Sequence, residues 1–478
     1  MGFYVALPVS ADAVRQVGYE KLLDDLSLAR VDSIILNAQE PSGAYYRFHD
    51  EQYAFTRLKN FHPSYATDDD KDMLGILAEK AAKRGMGVYS HTMSYDTPSA
   101  GGWPRNDTDT MIGHLLPNYT DCSEIDIFGR RTNNACLHNP DYRQFYISAV
   151  RDQLLHYPIE GINFNIERFG PISTVMIGTY ASNLRYRKPK APVCFCPHCI
   201  QKAHERGIDV HRAKAGYMEL LEFSERSWRH GKKNGDSYAG PGIQLCNGTA
   251  DDTPADGYMV EFMRILYKYP EILAWNTMWY DGLLSLYAEL YSAVHSCKKD
   301  AKLGLHIWHH RSLCLFERAS YDYADIRRYA DWIKPKLDPT CAGYRYANNV
   351  KRWHQAIAYD MDLDVFYKAF SQALGFRNEV PLEKLSKEGL SFESLKYETA
   401  CAVKAVRGEV PIYPGVGLNM PAPDRPTKPE YVKKGLRAIF EGGAEGTVLS
   451  RGYSEMSREN LIAAGEEIDA IRSEIAKK

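Results

Sequence analysis

Eight short runs rich in β-branched or aromatic residues recur along the chain, each followed by a loop and a helix-like segment, and this alternation restricts the fold more than any other feature. The runs are FYVALPV (3–9), DSIILNA (32–38), GMGVYSH (85–91), EGINFNIE (160–167), KLGLHIW (302–308), TCAGYRY (340–346), VPIYPGVGL (410–418) and GTVLSRG (446–452). Segments with apolar residues at three-and-four spacing lie between them, among them DMLGILAEKAAKRG, PDYRQFYISAVRDQLLHY, YADIRRYADWI and PEYVKKGLRAIFEGG. Such βα units wrap a parallel sheet. Eight regular units suit closure, and no GxGxxG follows the first run, so the expectation is an α/β (β/α)8 TIM barrel and not an open doubly wound sheet.

The units are unevenly spaced. Residues 168–301 separate the fourth run from the fifth, far more than an ordinary βα loop needs. The expectation is therefore one barrel domain over 1–478 with a roof subdomain inserted at 170–300, emerging at the carboxyl face where barrel active sites lie. This insertion carries CFCPHC (194–199), the polar stretch RHGKKNGDSYAGPG (229–242) and a long helical run from about 256 to 296.

Ten cysteines in 478 residues are too sparse for a disulfide framework, and a CxxC inside an insertion is out of place for a thioredoxin-like redox couple. A structural zinc takes four thiolate or imidazole ligands. Cys194, Cys196 and Cys199 supply three, and Cys136, Cys246, His198 and His204 are candidates for the fourth. The order GRRTNNACLHNPDYRQFY (129–146), then a strand ending in a glutamate, then CxCxxC, resembles the zinc-containing β-galactosidases of glycoside hydrolase family 42, and the wider pattern is similar to hypothetical glycoside hydrolase barrels with a strand-four acid and a CxC-type cluster. The resemblance implies a structural zinc on Cys136, Cys194, Cys196 and Cys199, and the role of general acid/base for Glu167.

In GINFNIERFG, Ile162, Phe164 and Ile166 alternate with Asn163, Asn165 and Glu167, so the acid falls where the strand ends and the shared pocket begins. Where the resembled family has Asn-Glu, this chain has Ile166-Glu167, leaving Asn165 to hold a sugar hydroxyl. An acid that donates its proton near neutral pH should have a raised pKa. Glycoside cleavage needs a second carboxyl group. The resembled enzymes place theirs at the end of strand seven, but this chain reads IYPGVGLNMPAPD there. Asp281, in WNTMWYDGLL, is the expected partner, read as the start of a roof helix facing a cavity; Glu40, Asp96 and Glu455 are the other acids near strand ends.

Around the mouth, HIWHHR ends strand five with Trp308, His309 and His310; His91, Tyr344, Arg345 and Arg451 follow other strands. With Glu40 and Asn165 they read as sugar-binding residues, and the two arginines suit a carboxylated or sulfated sugar. The function expected is hydrolysis of an oligo- or polysaccharide. The alternatives are a degenerate carbohydrate-binding barrel, which the bare strand seven would allow, and a lyase or metal-dependent hydrolase using His91, His309 and His310. A net charge of −2 with no sustained basic stripe argues against nucleic acid. No apolar run reaches the ~20 residues of a membrane span. The expected localisation is soluble, cytoplasmic as given, or secreted or periplasmic if a signal peptide was removed. Homo-oligomerisation is left open.

Overall fold

The computed structural model describes residues 2–37, 73–93, 122–178, 193–233, 254–418 and 427–477. Eight parallel strands form one sheet: β1 (Tyr4–Ser10), β2 (Ser33–Asn37), β3 (Gly87–Met93), β4 (Gly161–Asn165), β5 (Lys302–Ile307), β6 (Trp332–Pro335), β7 (Gly415–Gly417) and β8 (Gly446–Ser450). Pairing runs from β6 through β5, β4, β3, β2, β1 and β8 to β7. The ring closes through a parallel bridge between Ile333 and Ile412, with Tyr413 N–H donating to Ile333 O at 2.9 Å. The fold is a (β/α)8 barrel.

One strand differs from the sequence reading. TCAGYRY is not strand six; it lies in the helix Pro339–Ile357, and the sixth strand is the four-residue WIKP before it. Pro339 at the first helical position and Asp338 at the N-cap start that helix, a signature that outweighs the strand propensity of Thr and Tyr.

The period of two sorts each strand into two faces. Leu7, Ile34, Val88, Ile162, Phe164, Leu305, Ile333 and Leu449 face the helices and belong to the main core. Inside the barrel the side chains stack in layers, as expected for this fold. At the amino-terminal floor Tyr4 donates to Ser33 at 2.6 Å and to Glu160 at 3.2 Å, and its ring stacks on Tyr413 at 5.0 Å. Gly87 makes room here, since a Cβ would lie 2.0 Å from the Glu160 carboxyl carbon. Above lies an apolar plug of Ala6, Ile35, Tyr89, Trp332 and Val448. Gly304 accommodates the Trp332 indole, which a Cβ would meet at 2.0 Å.

The top interior layer is polar: His91, Asn163, His306, Lys334 and Ser450 are all buried. The register pairs His91 with Asn163 and His306 with Lys334 across neighbouring strands.

Between β4 and β5, helices Pro197–Glu205, Val210–Lys233 and Tyr258–Lys268 form the inserted layer, and helix Glu271–Cys297 returns to the barrel wall against helix Pro140–His156. The helical run expected from 256 to 296 is thus two helices, broken at Tyr269–Pro270. Helix Val210–Lys233 joins helix Pro339–Ile357 by a hydrogen bond from Gln355 Nε2 to Ser227 O at 2.6 Å. No helix among the described residues is long and apolar enough to cross a membrane.

Candidate active site and metal centre

Two residues past the last paired position of β4, Glu167 reaches the barrel mouth with its side chain 28% exposed. Its Oε1 accepts from Asn165 Nδ2 at 3.2 Å and from Lys336 Nζ at 3.2 Å, and lies 3.9 Å from His306 Nε2. Burial alone would raise the Glu167 carboxyl; Lys336, the Asn165 amide and Arg345 outweigh it and hold the group below its ordinary range. This corrects the expectation of a raised pKa, because the amine 3.2 Å away stabilises the anion.

Correcting strand six brings Lys334, Lys336 and Asp338 into the site, none of which the sequence reading singled out. Alternation with Trp332 turns Lys334 inward, where it is 3% exposed; burial and the repulsion of Lys336 bring its amine down to about 7, against the opposing pull of Asp338 and Glu167. Asp338 is the N-cap of a helix, yet its side chain caps nothing. It points into the barrel: a Cβ on Gly415 would sit 3.0 Å from Asp338 Oδ1, 3.1 Å from Ser450 Oγ and 3.4 Å from Lys334 Cε. The carboxylate is buried, and neither oxygen meets a hydrogen-bond donor among the described residues. An N-cap aspartate followed by proline, two residues after a Lys-x-Lys pattern, is the sequence signal that marks it.

The histidines are neutral donors or acceptors here. Burial lowers His91 to about 4, and its Nδ1 lies 2.7 Å from Asn163 Oδ1. Burial followed by Lys334 and Lys336 holds His306 well below its usual range, and burial followed by His310 and Arg345 does the same for His309. Trp308, Phe169 and His310 form an aromatic cluster joining the segments that follow β4 and β5, with ring centroids 3.9 Å apart for Trp308–His310 and 5.0 Å for Phe169–Trp308.

The remaining expected residues are placed differently. Asp281 lies inside helix Glu271–Cys297, not at a helix start; it is 42% exposed and ion-paired to Arg206 at 2.5 Å, facing outward and not into a cavity. Arg451 is 46% exposed and lies 3.6 Å from Glu455. Tyr344 is 51% exposed on helix Pro339–Ile357. Arg345, one residue on, does reach the mouth, its Nη1 3.2 Å from His309 Nδ1. Glu40 and Asp96 lie outside the described residues.

The loop after Glu167 is held by Glu317, which sequence reasoning also missed. Its carboxylate accepts from Gly170 N–H at 3.2 Å and from the Tyr280 hydroxyl at 2.5 Å. A Cβ on Gly170 would strike that hydroxyl at 2.4 Å, so the residue's identity follows from the close approach.

A second centre lies behind this loop. Cys136, Cys194, Cys196 and Cys199 are all buried, their Sγ atoms within 4.8 Å of one another, and they form the one such donor group among the described residues. The separations of 3.5 Å for Cys136–Cys199 and Cys136–Cys196 are far beyond a disulfide and near the roughly 3.8 Å edge of a tetrahedron built on ~2.3 Å metal–sulfur bonds. His138 N–H points at Cys136 Sγ from 3.4 Å. Four buried thiols with this geometry could hold a metal ion. His91, His309 and His310, the expected ligands of a rival metal site, do not gather into a cluster.

The centre is tied to the mouth. Cys136 follows the antiparallel ribbon Ser123–Ile125/Arg131–Ala135, while Cys196 caps helix Pro197–Glu205. Arg168, the neighbour of Glu167, donates to Ala135 O at 2.8 Å and pairs with the buried Glu124 of that ribbon.

The sequence matches no family model and no curated protein. In fold, the chain is similar to the polyextremophilic β-galactosidase of the Antarctic haloarchaeon Halorubrum lacusprofundi, with a TM-score of 0.52 at 10% identity over 98% of this chain and 58% of that one. It is also similar to the β-galactosidase of the psychrophilic Marinomonas ef1, with a TM-score of 0.50 at 10% identity over 99% and 60%. The chain therefore spans about three fifths of the length of these two proteins. The glycoside hydrolase domain of PgaB (BpsB) from Bordetella bronchiseptica gives 0.48 at 11% identity over 99% and 98%.

Proposed function

We propose that the protein is a glycoside hydrolase acting on an oligo- or polysaccharide at the barrel mouth, with Glu167 as general acid/base and Asp338, in place of Asp281, as the second carboxyl group. The observation that carries this reading is that carboxylates from the ends of two strands lie against neighbouring buried amines: Glu167 Oε1 is 3.2 Å from Lys336 Nζ, and a Cβ on Gly415 would meet Asp338 Oδ1 at 3.0 Å and Lys334 Cε at 3.4 Å. One carboxyl group protonates the leaving oxygen while the other attacks the anomeric carbon or activates water. In the resting protein Glu167 is an anion paired with Lys336. A glycosidic oxygen seated between them would separate the pair and leave burial dominant, which favours the protonated acid. In this reading Asn165 and His306 would orient sugar hydroxyls and Trp308 would stack on a pyranose face. The β-galactosidase names of the two barrels of similar fold agree with this class.

The four-cysteine centre is read as a closed structural zinc site, since four thiolates leave no position for a reacting water. Zinc bound there would fix the ribbon to the inserted helix.

The reading is tested with Glu167→Gln and Asp338→Asn on a panel of aryl glycosides and oligosaccharides. Turnover should fall by about a thousandfold or more in each while ligand binding persists. Near-wild-type turnover in Asp338→Asn would remove it as the partner; sugar binding by the unmodified chain without product release would favour a binding protein.

A further inference from the structure

We propose that Arg345, Arg352, Lys334 and Lys336 form a pocket for the carboxylate or sulfate group of an acidic sugar. This rests on the reading that the mouth holds a saccharide and names the class of saccharide it takes.

The geometry begins with helix Pro339–Ile357, which follows β6. Arg345 and Arg352 are seven positions apart and so share one helix face. Arg345 touches His309 at 3.2 Å, next to Trp308, which follows β5, and Arg352 is half-buried and near enough for its charge to help keep His310 neutral. Neither guanidinium forms an ion pair with a carboxylate among the described residues. Lys334 and Lys336, two positions apart on the inward face, repel one another. Among the described residues, the carboxylates that stand against these four side chains are Glu167, already engaged by Lys336, and Asp338.

Among the described residues, neighbouring groups do not absorb the surplus. Burial, with added repulsion from Arg345 and Lys336, keeps His309 and His310 neutral. His310 Nδ1 and His306 Nε2 are buried without a hydrogen-bond partner among the described residues. Gathering like charges in a poorly solvated cup is costly unless an anion shares them. Planar carboxylate and sulfate groups match guanidinium forks, and the Trp308–Phe169 rim beside them suits a sugar ring.

Lys334 adds a pH signature. The groups facing it are Lys336 and Asp338 from its own segment, His306 from β5, Glu167 from β4 and His91 from β3, with uncharged Gly415 and Ser450 on the far side. A bound anion favours the protonated amine, so affinity should weaken as pH rises through neutrality. A neutral sugar should show no such trend.

The test is calorimetric titration of the full chain with matched neutral, uronate and sulfated saccharides in the gluco and galacto series. We expect an acidic member to bind at least about tenfold tighter than its neutral counterpart in one series, as charge-assisted bidentate contacts allow. The discrimination should shrink between about pH 6 and about pH 8 and be lost in Arg345→Gln, with the neutral counterpart titrated against the same variant as the reference. Equal affinities in both series, or no binding of any acidic member, overturns the proposal. Should Arg345→Gln fail to fold, the pH series on the unmodified protein decides, and a flat series counts against the pocket. Product release on the same panel separates the two readings: acidic sugars bound but never cleaved sink the hydrolase and leave this pocket, while neutral sugars bound and cleaved as well as acidic ones do the reverse.

Discussion

Because burial pushes Glu167 toward its neutral form and Lys336 pulls it back, the resting charge of the site depends on one amine. In Lys336→Met burial is opposed only by the Asn165 amide and Arg345, so the carboxyl should titrate at higher pH. As the general acid must be protonated to act, the basic limb of the pH profile of kcat/KM should move upward; a limb that stays in place would show that Lys336 does not set the charge. Legibility at this scale followed strand register. Glu167, Asn165, His91 and Trp308 stood at readable strand ends, and the structure places them at the mouth or on the interior face beneath it. Asp281 misled because a charge between Trp279 and Tyr280 suggests a cavity, yet mid-helix its neighbours turn inward while it turns out to Arg206.

At the scale of elements, the ribbon and the cysteine centre act as one clamp on the loop that carries Glu167. Arg168 joins them, with its side chain 7% and that of Glu124 2% exposed. Glu124→Gln leaves the guanidinium buried and uncompensated, so it should lose about 3–5 kcal/mol in denaturant unfolding. Metal analysis should find one zinc per chain. Stripping it with a strong chelator should lower the melting temperature by several degrees, because metal bound only to the folded form adds to folding free energy. The cluster was legible because spacing and order along the chain carry it. Strand six was not: WIKP is four residues long and continues the helical rhythm of YADIRRYADWI, while the following TCAGYRY has strand-like composition. With that one element shifted, Lys334, Lys336 and Asp338 were hidden. A smaller test of the corrected register is Gly304→Ala, whose methyl would meet Trp332; it should destabilise by about 1–3 kcal/mol.

For the whole molecule, holding Lys334 inside the barrel couples stability to pH. An unfolded lysine titrates near ~10.4, whereas the folded group titrates at about 7. Between these values the unfolded chain keeps a proton that the folded chain has released, so stability should rise with pH across this window and the cost should be fully present below it. Lys334→Met should flatten that slope and stabilise the protein at pH 6, as read by urea unfolding. The barrel as a whole was legible, closure included, because βα units recur eight times along the chain; the closing bridge between Ile333 and Ile412 was not, since Ile333 belongs to the misread strand six and Ile412 lies outside any named strand.

The sealed floor of Tyr4, Ser33 and Glu160 beneath the apolar plug makes the barrel a dead end. With the bore filled between its described strands, a saccharide held at the rim would lie across the opening and never be threaded through it.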